Sequence, residues 1–258
     1  MNVTIPADVL VAFLLATVRS GAWLAVTPPL NGRTVPSIVK AGLAVALALP
    51  VSTHLTGKVP VDDTGALITA AVIQAAIGLA IGFIGLVLLS TIRAAGDLVD
   101  LFGGFTLSQA YDPLSMTSGS LFGRLHQMLM TTLLFVTGGY LLLVRGFLAS
   151  YDAIPLDRTP SLSLLTDVVV HGLGTLFVAA LQVAIPLLCA SFLADVGLGL
   201  ISRAAPSLNV FAMGFPVKVL LTLTLIGFLL PLLPHAVGLL VDHTVHDVAR
   251  VTSSASGP

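Results

Sequence analysis

Long apolar runs, separated by short polar or proline-containing stretches, make up most of the chain. A helix needs about 20 apolar residues to cross a bilayer core that is about 30 Å thick, and six segments meet or approach this length. They cover residues 9–27, 36–51, 66–92, 125–148, 173–200 and 215–241. The pattern therefore predicts an all-α membrane protein with about six apolar helices.

Prolines and glycines inside these segments indicate kinked, closely packed helices. Pro186 lies within the fifth segment and should bend it, and Pro216 stands at the start of the sixth. Gly78 and Gly82 of the third segment have the four-residue spacing of small residues that lets helix backbones approach closely. That spacing is common in membrane helices, so it predicts packing and no particular partner.

One polar stretch, residues 93–120, separates the third and fourth segments. It gathers polar and helix-breaking residues: Asp97, Asp100, the Gly103-Gly104 pair and the Asp112-Pro113 step. These residues predict a helix that gives way to irregular backbone. Irregular backbone at membrane depth must be buried in protein or face a water-filled cavity. Because the stretch also keeps bulky apolar side chains, it suits a plug, a gate or a substrate lip, with an ordinary loop as an equally open interpretation.

The composition supports the membrane assignment and excludes several classes of partner. Hydrophobic residues make up 56% of the chain and charged residues 9%, and the mean hydropathy is +1.05; soluble domains carry roughly 25% charged residues. A net charge of −1 gives no reason to expect nucleic acid. The single cysteine, Cys189, excludes an intramolecular disulfide. Asp8 and the absence of Lys or Arg before the first apolar run argue against a cleaved signal peptide.

Charged side chains inside apolar segments need partners. Arg19 lies in the middle of the first segment, where an Arg costs on the order of 2.5–3.5 kcal/mol on insertion scales. Candidate pairs are Arg19 or Arg93 with an Asp of the polar stretch, and Asp195 with Arg203 or Lys218, and the sequence does not choose among them. Such charged groups either form a path for ions or protons or pair structurally between helices. Structural pairing is favoured, because no acidic pair recurs at matching depth in the two halves of the chain. Lys and Arg are spread almost evenly over the loops, so their distribution does not predict the orientation of the chain in the membrane.

Catalytic and metal-binding patterns are missing from the sequence. It has no Gly-x-Ser-x-Gly elbow, no phosphate-binding loop and no cysteine cluster. His243 and His246 could offer a metal two imidazoles, but chance placement on a polar tail is the more common explanation. We therefore expect no enzyme activity, no cofactor and no bound metal.

The run 197–218 is the most specific in the chain. From its residues alone it is a helix end, a break at Pro206, a short polar turn and a re-entry at Pro216, which together make a helical hairpin. The run resembles the signature of the flagellar biosynthesis protein FliR family and its counterparts in virulence type III secretion. The resemblance is carried there by Gly197, Leu198, Arg203, Pro206, Asn209, Phe211, Pro216 and Lys218, and elsewhere by Arg19, Pro28, Pro29 and the runs 35–40, 103–108, 112–113, 150–155 and 185–186.

The resemblance implies an architecture and a setting. Residues 1–156 would form a FliP-like helical-hairpin half that contains a plug loop at 103–120, and residues 157–258 a FliQ-like C-terminal hairpin half with a polar tail. The kinked apolar helices would be arranged as stacked hairpins, packed mainly against partner subunits around a channel. The implied partners are FliP-type and FliQ-type export-gate subunits, the FlhB-type switch subunit, unfolded export substrates in transit and membrane lipid. The implied location is the bacterial inner membrane, in the flagellar basal body.

The implied function is that of a non-enzymatic subunit of the flagellar type III protein export gate. The resemblance assigns the channel plug to Gly103, Gly104, Phe105, Leu107, Tyr111, Pro113, Leu114 and Met116. It assigns structural or inter-subunit roles to Arg19, Asp97, Asp195, Arg203, Pro206, Asn209, Phe211, Pro216 and Lys218. The alternatives are a small-solute membrane transporter or channel subunit, an intramembrane hydrolase or lipid transferase, and a structural adaptor.

Overall fold

The protein is built from α-helices throughout the part of the chain that its computed structural model describes. That part comprises residues 6–32, 35–52, 63–105, 120–156, 162–205, 207, 210–235 and 238–239, and no β-strand occurs in it. The helices are α1 (Ala7–Val26), α2 (Ser37–Ser52), α3 (Thr64–Phe102), α4 (Leu121–Val136), α5 (Gly139–Ala153), α6 (Leu162–Ala204) and α7 (Val210–Leu229), and a 3₁₀ turn (Leu230–Leu232) follows α7. The predicted all-α class is confirmed.

Not every apolar segment makes a helix that is long enough to span a membrane. Within the described ranges, three helices have the necessary length and composition: α1, α3 and the part Val169–Ala204 of α6. A fourth span arises if α4 and α5 are counted together as one bent element. The second and sixth predicted segments appear as the shorter apolar helices Ser37–Ser52 and Met213–Leu229.

Two of the predicted helix limits were wrong for identifiable reasons. The fourth segment was expected to be one helix, but it divides at Thr137 and Gly138 into α4 and α5. Gly138 adopts a left-handed backbone with φ +74 there, a conformation that glycine tolerates without steric cost. Pro216 was expected to begin the sixth segment, but it lies inside α7, which already starts at Val210. Pro186 lies inside a continuous α6, so the bend expected there stays a prediction.

The chain forms two compact units, each assembled from separate pieces. The described parts of the first unit fall within residues 1–88 and 138–174, and those of the second unit within 89–137 and 175–240. Helices α3 and α6 each contribute to both units. The predicted FliP-like and FliQ-like halves describe similarity to other proteins and not compactness within this chain. That division therefore stays a prediction.

The core of the first unit combines small residues of α1 and α2 with large aromatic rings. Trp23 of α1 stacks on Phe147 of α5 with the ring centroids 4.5 Å apart, and Tyr151 meets Phe147 edge-on at 5.5 Å. Small residues from α1 and α2 surround them, including Ala12, Ala16, Ala44 and Ala48. Small side chains let the helices approach closely enough for the rings to fill the remaining space.

The spacing of Gly78 and Gly82 has the packing role that was predicted for it. A Cβ at Gly78 would overlap the backbone carbonyl oxygen of Arg19, and one at Gly82 would lie 3.0 Å from the carbonyl oxygen of Trp23. Side chains at these positions would therefore push α3 away from α1.

The core of the second unit lies where α3 ends and α4 begins. Val99 and Phe122 pack there with Leu187 of α6 and Ile226 of α7, and the partly buried Phe105 joins them. This cluster positions both ends of residues 106–119, which are the centre of the predicted plug.

Candidate functional site

A buried arginine organises the polar interior of the first unit. Arg19 is 0% exposed. Its Nε donates to Oε1 of Gln74 at 2.6 Å, its Nη1 to the carbonyl oxygen of Ser150 at 3.1 Å, and its Nη2 to the carbonyl oxygen of Ile154 at 2.8 Å. The guanidinium also lies over the ring of Tyr151, 4.3 Å from its centroid. We call Arg19 and these four partners the arginine site.

Pairing of Arg19 with an Asp of the polar stretch was one of the alternatives, and the described residues show other partners. Within the described ranges, the hydrogen-bond partners of Arg19 are neutral groups, and two of them are carbonyls at the end of α5, which finishes at Ala153. The carbonyl oxygen of Ser150 also accepts the N–H of Ile154 at 2.9 Å, and both carbonyls lie at the negative end of the helix dipole. These carbonyls, Gln74 and the aromatic ring therefore compensate the buried charge without a carboxylate.

Two further side chains fasten the helices around this arginine. The Tyr151 hydroxyl donates to the carbonyl oxygen of Ala16 at 2.9 Å and lies 3.1 Å from Oγ of Ser20. Nε2 of Gln74 donates to the carbonyl oxygen of Leu156 at 3.4 Å. Helices α1, α3 and α5 are thus joined by one buried network, whose role is structural because its donors and acceptors satisfy one another.

In the second unit, the residues on either side of 106–119 contact each other. We call Gly103–Phe105 and Ser120–Phe122 the stem. The ring of Phe105 meets the ring of Phe122 edge-on, with the centroids 5.0 Å apart. The chain therefore leaves α3 and enters α4 at the same place.

Capping interactions hold the α4 side of the stem. Oγ of Ser120 accepts a hydrogen bond from the N–H of Gly123 at 2.7 Å, and both carboxylate oxygens of Asp100 accept the N–H of Phe122 at 3.3 Å. Asp100 is buried, and the carboxylate of Asp97 also contacts the helix start at Gly123. Because a helix N-terminus carries free N–H groups and partial positive charge, both acids stabilise it.

Helix α7 supports the α3 side of the stem. A Cβ at Gly103 would lie 2.8 Å from Oγ1 of Thr222, and one at Gly104 would lie 3.8 Å from Cδ2 of Phe215 and 4.0 Å from Cδ of Lys218. The ammonium of Lys218 is held by Asp195 of α6, with Nζ 2.6 Å from Oδ1 and 2.8 Å from Oδ2. Of the two partners considered for Asp195, Lys218 is the one that the structure shows.

The family model described as bacterial export proteins, family 1, matches residues 10–244 of this chain. The chain belongs to this family of bacterial export proteins. The flagellar biosynthetic protein FliR of Escherichia coli strain K12 is 30% identical over 213 residues, which is 82% of this chain and 81% of that protein. FliR of Bacillus subtilis strain 168 is 27% identical over 216 residues, covering 82% and 83% of the two chains.

A protein that is named for the translocation of other proteins is also a relative of this export protein. The Yop proteins translocation protein T of Yersinia pestis is 28% identical over 232 residues, which cover 88% of this chain and 89% of that protein. The relatives are named for flagellar biosynthesis or for protein translocation, and none of these names is that of an enzyme. The chain is thus a membrane-embedded component of a type III protein export apparatus.

The structure locates only part of the predicted site of this FliR-type export protein. The remaining plug residues Leu107, Tyr111, Pro113, Leu114 and Met116 lie outside the described residues, as do Pro206, Asn209, His243 and His246. Phe211 falls within α7, and Arg203 lies in the last turn of α6. Among the described residues, no group of three His, Cys, Asp or Glu side chains is placed to hold a metal ion.

Several residues of these sites had not been singled out from the sequence. Ser120 could have been found, because a serine directly before an apolar helical run is a common N-cap. Gln74 and Thr222 lie inside apolar runs, where a single polar residue does not reveal which neighbour it faces. The residues that they lie next to, Arg19 for Gln74 and Gly103 for Thr222, became visible only once α1, α3 and α7 were placed.

Proposed function

We propose that this chain is a non-enzymatic subunit of the flagellar type III export gate in the bacterial inner membrane, within the flagellar basal body. It would form the export channel with FliP-type and FliQ-type subunits, next to the FlhB-type switch subunit, and unfolded flagellar proteins would pass through that channel. Residues 103–120 would be the plug that keeps it closed. The family membership and the apolar helices support this role.

The closed stem is the observation that carries the plug proposal. Phe105 and Phe122 bring the two ends of residues 106–119 together, and the hydrogen bond of Ser120 that caps α4 fixes where the chain enters this helix. A segment of this length that is anchored at both ends can reach roughly 20–25 Å from its stem, with half its residues leading out and half leading back at about 3.4 Å each. It is therefore long enough to block a narrow channel while staying attached to rigid helices.

Closure would be hydrophobic gating, with no chemical step. The apolar side chains of the plug, Phe105, Leu107, Tyr111, Leu114 and Met116, would fill a constriction and exclude water and ions. Pro113 and the two glycines would shape the backbone of the loop. An arriving unfolded chain would displace the loop, and the loop would return after passage.

The arrangement of buried charges favours this role over small-solute transport. A solute transporter needs ionisable groups free to bind its cargo near the membrane midplane. Arg19 and Asp100 are instead bound to backbone groups, at a helix C-terminus and a helix N-terminus respectively. Each charge is therefore part of the packing inside its own unit, Arg19 in the first and Asp100 in the second.

Deletion of residues 107–118 tests the plug directly. The deleted chain should still co-purify with FliP-type and FliQ-type subunits, and cells that contain it should become permeable to ions and small solutes. The matched control replaces residues 157–161, between α5 and α6, with glycine and serine. Unchanged permeability with intact co-purification would refute the plug, and loss of co-purification in the control would show that any loop change disturbs assembly.

A further inference from the structure

We draw no further inference here: the strongest candidate, the cluster of Asp97, Asp100 and His126 where α3 ends and α4 begins, belongs to the cap of α4 already described, because Asp100 and His126 bind the backbone N–H and carbonyl oxygen of Phe122.

Discussion

Replacing Arg19 by methionine should destabilise the first unit by about 3–5 kcal/mol. The change removes three hydrogen bonds from a charged donor and leaves Oε1 of Gln74 and the carbonyl oxygen of Ile154 without this donor, while the carbonyl oxygen of Ser150 keeps the N–H of Ile154 at 2.9 Å. Each buried acceptor left unsatisfied costs about 1–3 kcal/mol. Methionine fills much of the volume of the arginine stem, which offsets part of the loss.

The single tryptophan provides the assay. Trp23 is the only tryptophan of the chain and stacks on Phe147 in the same core, so its fluorescence reports loss of the arginine site. Unfolding of the purified protein in mixed micelles with increasing denaturing detergent would give the free energy of unfolding for each variant. Arg19→Met should unfold at a clearly lower detergent fraction than the parent.

Two companion variants make this result specific. Arg19→Lys keeps the charge but cannot reach all three acceptors, because an ammonium lacks the planar fork of a guanidinium. Its free energy of unfolding should therefore lie between those of the parent and Arg19→Met. Arg145→Met removes an exposed arginine from α5 and should change stability by less than about 0.5 kcal/mol. If Arg19→Met cost no more than Arg145→Met, the arginine site would not be what joins α1, α3 and α5.

Three further substitutions test individual contacts. Gly78→Ala should lower the stability of the first unit by several kcal/mol, because the new Cβ meets backbone of α1, whereas Gly42→Ala, with nothing within 4 Å, should raise stability by up to about 1 kcal/mol in the same unfolding assay, because alanine is the better helix former. Ser120→Ala should cost about 1 kcal/mol through loss of the α4 cap, measured by helix content during thermal unfolding; no change would show that the cap is not needed. Gly103→Ala should increase ion permeability by pushing the stem off α7, while Gly199→Ala, which has open space, should not; equal permeability would contradict the contact.

The sequence predicted those parts of the fold that depend on local pattern. The third apolar segment became α3, and the spacing of Gly78 and Gly82 correctly indicated a close helix contact, because small residues in an apolar helix have few other uses. Pairing of Asp195 with Lys218 was one of two options, since Arg203 and Lys218 both follow Asp195 closely in the chain. These inferences needed only residue type and spacing.

Other features depended on three-dimensional placement that spacing does not provide. For Arg19, only acids were considered as partners. Every residue has a backbone carbonyl, so the sequence does not reveal that the carbonyls at the end of α5 lie next to α1. The break at Gly138 was missed because the apolar run continues through it, and only the left-handed backbone ends α4 there. For the plug, the sequence indicated a loop, and the structure added the contact that closes its stem.

Site-specific photo-crosslinking from Leu114 is the most direct test of the central claim that residues 103–120 close a protein-conducting channel. A photoreactive amino acid at this position would be activated in assembled complexes, first at rest and then with an export substrate stalled in transit. We predict crosslinks to FliP-type subunits at rest and to the substrate during transit. Crosslinks to lipid alone in both states would contradict the account.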